Sequence, residues 1–412
     1  MAVSSQPLSK CRTAAFSGSP ASPRSQSTTR GGAGYRAAAG AQLFEVPCER
    51  RQADDAGGLR GGGFGQLGGV VGIHVVVYED RYVAVHLLFF PDAVPFFGGS
   101  IWNKQPMHTN TGAAARFAFI TDTHYHPAAP RDFGAPKMLT RAPEVLAATV
   151  PAVNAVQPEF ILHGGDLVCG GTSFELPDDL YEQSLRDVAA AYAGFDAPVH
   201  YVPGNHDCRA SDFSFEPLGR AFPIPALLDI AEVAPRLRIA LANVYHTGHG
   251  NGGGLWTDEL DAALREADRD ALSAGSALIL VQHPWIAPNF IPEGGDEDAG
   301  CIGGAARLRA TLRECPAVVA AFTGHRHINR IRMLGDLAVV DTACLIGYPF
   351  GFREVTLDSG GWMTCRFHQL DLPELMRESC ARSDELTNDR WRGEEGDRNT
   401  AILLPRLREL WR

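Results

Sequence analysis

The sequence predicts an α/β layered fold, and two observations carry that expectation. Between Arg116 and Leu357, short apolar runs of strand length alternate with segments whose apolar residues recur at helical spacing. That alternation is the mark of strands and helices packed in layers. Five of the apolar runs also end in residues with metal-ligand chemistry: Asp122-Thr123-His124, Gly165-Asp166, Gly204-Asn205-His206-Asp207, Gln282-His283-Pro284 and Gly324-His325-Arg326-His327. Open α/β sheets collect their ligands beyond the C-terminal ends of strands.

The elements follow in order. The first 44 residues contain no Asp or Glu and are rich in Ser, Ala, Gly and Arg. Such a segment buries too little apolar surface to offset its ordering entropy, so residues 1–60 are expected to be disordered. Its acid-poor, Arg- and Ser-bearing composition also resembles an organelle transit peptide. Without that address the expected location is cytoplasmic, because the nine cysteines are scattered and form no C-x-x-C, as suits reduced thiols. Residues 61–114 are Gly-rich. Within them Val75–Tyr78 and Tyr82–Val85 flank Glu79-Asp80-Arg81 and are expected to form a β-hairpin; no function is assigned to it.

Regular alternation occupies residues 115–371. Phe117–Ile120, Phe160–Leu162, Val199–Val202, Ile239–Leu241, Ala277–Val281 and Val318–Phe322 read as strands, with Leu337–Val340 and Arg353–Leu357 closing the series. Ala142–Val156 reads as a helix, as does Asp179–Tyr192, where Leu180, Leu185, Val188 and Tyr192 share a face. Leu260, Leu264 and Ala267 mark a third helix, with Asp258 and Glu259 in its first turn. Residues 372–412 form a charged tail, expected to be helical and to pack through Leu403, Leu404, Leu407 and Leu410.

Charge narrows the partners. A net charge of −11 argues against nucleic acid or an anionic membrane as a general partner. No uninterrupted apolar stretch reaches the roughly 20 residues of a membrane span. A metal-dependent nuclease would need a basic track for the backbone, and the acidic loop Glu293–Asp298 is instead read as part of a pocket rim. Nothing in the sequence sets an oligomeric state.

The strand ends supply seven candidate metal ligands: Asp122, His124, Asp166, Asn205, His283, His325 and His327. Seven donors suffice for two cations. In a period-2 segment residues i and i+2 face the same way, which would bring Asp122 together with His124, and His325 with His327. A shared carboxylate is the natural bridge between cations about 3.5–4 Å apart, and Asp166, on a turn after Gly164-Gly165, is placed to serve. Gly204 is expected to permit a sharp turn before Asn205. Mixed N/O ligation without thiolate suits divalent Mn, Fe, Co or Zn. A lone histidine is more often a satisfied core or surface residue. His126, His163, His200, His246, His249 and His368 lack the strand-end context and keep that reading, with His126 and His163 near enough to support the ligands.

The five motifs, in this order, resemble those of the calcineurin-like metallophosphoesterase superfamily over about Arg116 to Leu370. The resemblance implies a four-layer α/β/β/α sandwich with two mixed sheets and a dinuclear metal centre at strand C-terminal ends. It implies one metal held by Asp122, His124, Asp166 and His327, and a second held by Asp166, Asn205, His283 and His325. His206 would hold no metal and would face the phosphate as the catalytic histidine, giving a proton to the leaving oxygen. Where purple acid phosphatases carry a tyrosine after the bridging Asp, this chain has Cys169. Where Ser/Thr protein phosphatases carry Asp-Arg-Gly, it has Cys169-Gly170-Gly171. What remains is similar to the class III cyclic-nucleotide and glycerophosphodiester phosphodiesterase branch. That branch often has paired histidines before Pro; here Gln282 precedes His283, and the register leaves Gln282 beside the metal as an alternative. The implied activity is hydrolysis of small phosphodiesters by water activated between the two metals. Phosphomonoester hydrolysis is the alternative, and a non-catalytic metal-binding scaffold is the rival from another class.

Overall fold

The computed structural model describes residues 72–78, 82–88, 113–132, 136–171, 173–250, 252–288 and 300–412. The expectations for residues 1–60 and for the loop Glu293–Asp298 lie outside these. The chain divides into two units, Met1–His108 and Thr109–Arg412. In the first, β1 (Gly72–Tyr78) and β2 (Tyr82–Leu88) pair antiparallel, with Val75 opposite Val85 and Tyr78 opposite Tyr82. This is the hairpin that the two valine-rich runs predict.

The second unit runs β3 (Ala113–Ile120), α1 (Ala142–Ala155), β4 (Phe160–His163), α2 (Asp178–Tyr192), β5 (Val199–Tyr201), α3 (Glu216–Ala221), β6 (Leu228–Ala234), β7 (Leu237–Ala242) and α4 (Asp258–Ser273). It continues with β8 (Ala277–Val281), α5 (Ala305–Glu314), β9 (Val318–Thr323), β10 (Arg330–Leu334), β11 (Leu337–Asp341), β12 (Gly351–Asp358) and β13 (Trp362–Gln369). It ends with α6 (Pro373–Ala381), α7 (Glu385–Arg392), α8 (Glu395–Arg398), β14 (Asn399–Leu403) and α9 (Pro405–Leu410). One six-stranded sheet has the order β14-β13-β12-β3-β4-β5, and the other β10-β11-β9-β8-β7-β6. Strands β3, β4 and β5 are parallel, as are β7, β8, β9 and β11. Antiparallel strands complete both sheets, so both are mixed.

Side-chain alternation builds the layers. Phe117, Phe119, Phe160 and Leu162 turn inward and meet Ile279, Val281, Phe322 and Val340 of the other sheet. Ala118, Ile120 and Ile161 turn outward onto Val145, Val153, Leu185 and Val188 of α1 and α2. On the opposite side, Leu278, Leu280 and Ala321 meet Leu260 and Leu264 of α4 and Leu308 and Leu312 of α5. Central strands buried on both faces read as continuous apolar runs, which is why they stand out in the sequence. Thr257 caps α4 by accepting from the Leu260 N–H at 3.3 Å, and Asp258 and Glu259 occupy the first turn.

The C-terminal tail differs from its expected helical form. It contains helices, but it also supplies β14, which pairs antiparallel with β13 at the edge of the first sheet. Leu404 and Leu407 are fully buried in the inter-sheet core, with Leu410 packed against it. An edge strand of composition Asn-Thr-Ala-Ile-Leu has no apolar alternation of its own; its partner strand defines it. The tail is therefore part of the sheet that precedes it.

Candidate metal centre

The five motifs converge where the two sheets meet, at the C-terminal ends of β3, β4, β5, β8 and β9. The convergence does not come from strand pleating. β3 ends at Ile120 and β9 at Thr323, before the ligands begin. Asp122, His124, Asp166, His325 and His327 instead adopt positive φ, at 56°, 42°, 56°, 71° and 59°. Each such residue costs about 1–3 kcal/mol and persists only where its surroundings over-determine it. Here loop-to-loop hydrogen bonds do so: the N–H groups of Asp122 and His124 donate to Gly165 O and Asp166 O (both 2.9 Å), and Gly324 N–H donates to His283 O (3.0 Å).

Two glycines set the close approaches. A Cβ on Gly204 would lie 2.2 Å from Asp166 Oδ1, and one on Gly324 would lie 2.3 Å from Asp122 Oδ2. At the turn before Asn205, Gly204 is thus required by the close approach of Asp166, and its φ is not positive.

The seven predicted residues fall into two clusters that share one oxygen. In the first, His327 Nε2 lies 3.1 Å from Asp122 Oδ1 and 3.1 Å from His124 Nε2. His124 Nε2 is 3.6 Å from Asp166 Oδ2. In the second, His283 Nε2 lies 3.0 Å from that same Asp166 Oδ2 and 3.2 Å from Asn205 Oδ1. Asn205 Oδ1 is 2.9 Å from His325 Nδ1. These spacings fit donors around cations with bonds of about 2.0–2.2 Å. His325 and His327 therefore part, one to each cluster, where the period-2 argument paired them. Asp166 Oδ1 is occupied by the His206 N–H (2.7 Å), which leaves Oδ2 as the shared donor.

Electrostatics match a cation site. Burial would raise the Asp122 carboxyl, but the His327 imidazole and hydrogen bonds from His124 and His327 hold it well below the usual carboxylate range. Asp166 is likewise held low, against burial, chiefly by His283 and His206. Burial would lower His283, but Asp166 raises it to about 9. Without a cation His283 thus keeps a proton that a metal would displace. Burial holds His124 and His325 well below their ordinary value, as neutral ligands require.

Three neighbours support the ligands. The Asp207 carboxylate accepts from the N–H groups of Gly204 and Asp166 (2.8 Å each), Leu167 and Val168 (3.1 Å). It ties the Asn205 turn to the Asp166 turn. Sequence reasoning did not assign it a role; its place directly after Asn205-His206 was the available signal. His163 Nδ1 accepts from Gly165 N–H, and its Nε2 lies 3.1 Å from Thr123 Oγ1, so it braces both flanking loops. Gln282 is buried and donates to Pro284 O (2.9 Å), which leaves His283 as the residue aimed at Asp166. His126 is buried but belongs to neither cluster.

A family model for calcineurin-like phosphoesterases matches residues 115–329, more than half of the 412-residue chain. The chain belongs to the calcineurin-like phosphoesterases. This phosphoesterase is similar in structure to a dimetal phosphatase from Danio rerio, at 13% identity and a TM-score of 0.52, over 71% of this chain and 99% of that one. At that identity the likeness shows the fold alone. GAP50, the anchor in the inner membrane complex of Plasmodium, aligns at 14% identity and TM-score 0.40, over 66% of this chain and 96% of its own. A 5'-nucleotidase from Staphylococcus aureus described as putative aligns at 16% identity and TM-score 0.39, over 72% of this chain and 57% of its own. No curated protein matches the sequence. The phosphoesterase is thus a hydrolase of phosphoric esters whose clusters are suited to divalent metal ions. Among its described residues Cys169, Cys208, Cys315, Cys344, Cys365 and Cys380 are free thiols, and no helix is long and apolar enough to cross a membrane.

Proposed function

We propose that this phosphoesterase hydrolyses small phosphodiesters, of the cyclic-nucleotide or glycerophosphodiester kind, at a centre of two divalent transition metals. The observation that carries the reading is the single Asp166 oxygen shared between two ligand clusters. Asp122, His124, Asp166 and His327 would hold one cation, and Asp166, Asn205, His283 and His325 the other. When bound, two such ions neutralise phosphate charge and lower the pKa of water.

The chain's own groups supply the rest. His206 is partly exposed, and its ring lies 5.2 Å from that of His124 between centroids. Its Nδ1 lies 3.3 Å from Gly170 O and donates there, which leaves Nε2 for the substrate. Burial lowers the His206 imidazole to about 4, against Asp166 and the Gly170 carbonyl, which favour the imidazolium that would protonate a leaving oxygen. Phe174 packs edge-on against His206 at 4.6 Å and limits its rotation. The diester reading is supported by what stands after Asp166: Cys169 is fully buried, and a Cβ on Gly170 would lie 1.9 Å from Cys208 O, so no arginine fits there. Phosphomonoesters are the second reading, which the cation described below favours.

The test is a panel of cyclic nucleotides, glycerophosphodiesters and phosphomonoesters, offered to protein reconstituted separately with Mn, Fe, Co and Zn. Faster turnover of a diester than of any monoester is the expected result. Preference for monoesters overturns the diester reading, and no turnover with any metal overturns the enzymatic one.

A further inference from the structure

Lys137 is the only lysine beyond residue 104, so an amine at this site is not one of many on the surface. Its backbone bridges antiparallel to Gly347, and Met138 N–H donates to Ile346 O (2.8 Å). Leu345 N–H in turn donates to Thr121 O (3.1 Å), next to Asp122. The residue is thereby tied to the segment that carries the first cluster. Its ammonium lies 4.6 Å from the centroid of the Phe174 ring. That ring's other neighbours include His206 at 4.6 Å and His124 at 5.5 Å. The ammonium and both imidazoles thus share the Phe174 ring as a common neighbour beside the candidate metal centre.

Lys137 is only partly exposed and makes no ion pair among the described residues. After burial, its charge is the largest influence lowering His124 and His327, and it also helps lower His206. A cation without a counter-charge repels the very ions this site would collect. Local rules are broken in this way mainly at functional sites. The repulsion is relieved when an anion enters, and lysine serves phosphate as a compact point charge.

We propose that Lys137 is a phosphate-binding residue, donating from its ammonium to a non-bridging oxygen of the substrate phosphate on the His206 side of the metal centre. The proposal rests on the reading that the paired clusters hold a phosphoester. A phosphomonoester dianion gains more from this contact than a diester monoanion, so Lys137 sets part of the preference between them.

The experiment compares metal-loaded wild type with Lys137→Met, which keeps an unbranched stem over Phe174, and with Lys137→Arg. Inorganic phosphate binding is measured by calorimetry, and KM and kcat are measured on nitrophenyl phosphate and bis-nitrophenyl phosphate. Lys137→Met is expected to weaken phosphate binding and raise KM for the monoester by about 10–100-fold, the worth of one hydrogen bond to a charged group. The diester should be affected less, metal content and Tm should not change, and Lys137→Arg should recover most of the loss. Unchanged phosphate affinity in Lys137→Met overturns the proposal, as does loss of metal or a lower Tm, which would make Lys137 structural. The calorimetric arm decides this even without turnover; a wild type that turns over neither ester while still binding phosphate instead overturns the proposed enzymatic function.

Discussion

The two ligand clusters differ in charge and in cover. Asp122, His124 and His327 are all buried, whereas in the second cluster Asp166 and His283 are buried and His325 is partly exposed. The first has a carboxylate of its own plus the shared Asp166; the second has only the shared one, and its remaining donors are an amide and two imidazoles. The supply also divides by sheet. Asp122, His124, Asp166, Asn205 and His206 follow strands of the first sheet, and His283, His325 and His327 follow strands of the second. Every negative donor therefore stands on one sheet, and the other contributes only imidazoles. Each cluster draws on both sheets, so a cation in either would pin the sheets together at this end. The closed cluster thus carries two carboxylates, and the open one a single shared carboxylate.

The comparison breaks most completely at the shared residue. Asp166→Asn is expected to lower metal content from two equivalents to fewer than one and to reduce turnover to background, checked by elemental analysis beside the ester panel. Two retained equivalents would show that the clusters do not depend on a shared carboxylate.

Next come the separate ligands. Asp122→Asn and His325→Ala are each expected to cost one equivalent of metal. The loss in affinity should exceed the roughly 10–100-fold that outer supporting residues are worth. Because the first cluster is closed and more acidic, the wild-type ion that survives mild chelation should be the one lost in Asp122→Asn. Metal titration of both variants checks this, and equal retention by the two clusters would remove the distinction.

His206→Ala separates chemistry from binding. Both metals should remain, and turnover should fall by about 10²–10⁴-fold, the usual worth of proton donation. A good leaving group such as nitrophenolate needs less protonation, so its loss should be the smaller. Kinetics with good and poor leaving groups, alongside metal analysis, make the comparison. Metal loss would make His206 a ligand.

The smallest expected effect is on the stability of metal-free protein. Burial lowers His124, His163, His206, His325 and His327 below their ordinary value of 6.5. For such groups the unfolded chain binds protons more readily, so stability is lost as pH falls through about 6.5. His283 runs the other way: against burial, Asp166 raises it to about 9, so its contribution is present below 6.5 and lost as pH rises towards 9. Burial likewise lowers His126 and His200, while burial and Asp166 raise the Asp207 carboxyl to about 7, so its contribution, like that of His283, is lost as pH rises. Seven groups against two predict a lower Tm at pH 5 than at pH 7, read by thermal melts in chelator. A higher Tm at pH 5 would show that His283 and Asp207 dominate.

By itself the sequence determined the ligand types, their placement after strands and their order along the chain. It did so for a physical reason. Central strands buried on both faces leave unbroken apolar runs, and which donor atom a side chain offers is a property of the residue type that no fold alters. The hairpin at Val75–Val85 and the helices beginning near Ala142, Asp178 and Asp258 were legible for the same local reasons of alternation, helical spacing and first-turn acids. The family resemblance already implied how the seven ligands divide; the tertiary structure decided the left-handed backbone that parts His325 from His327, and that one oxygen of Asp166 lies between both clusters. It alone gave Asp207 its four N–H partners, placed Lys137 beside Phe174 and drew β14 into the first sheet. These depend on contacts such as His325 N–H to Asp122 Oδ2, across 203 residues of sequence. Packing between two sheets makes such a contact, and it holds the ligand backbones in left-handed conformations that their local sequence disfavours.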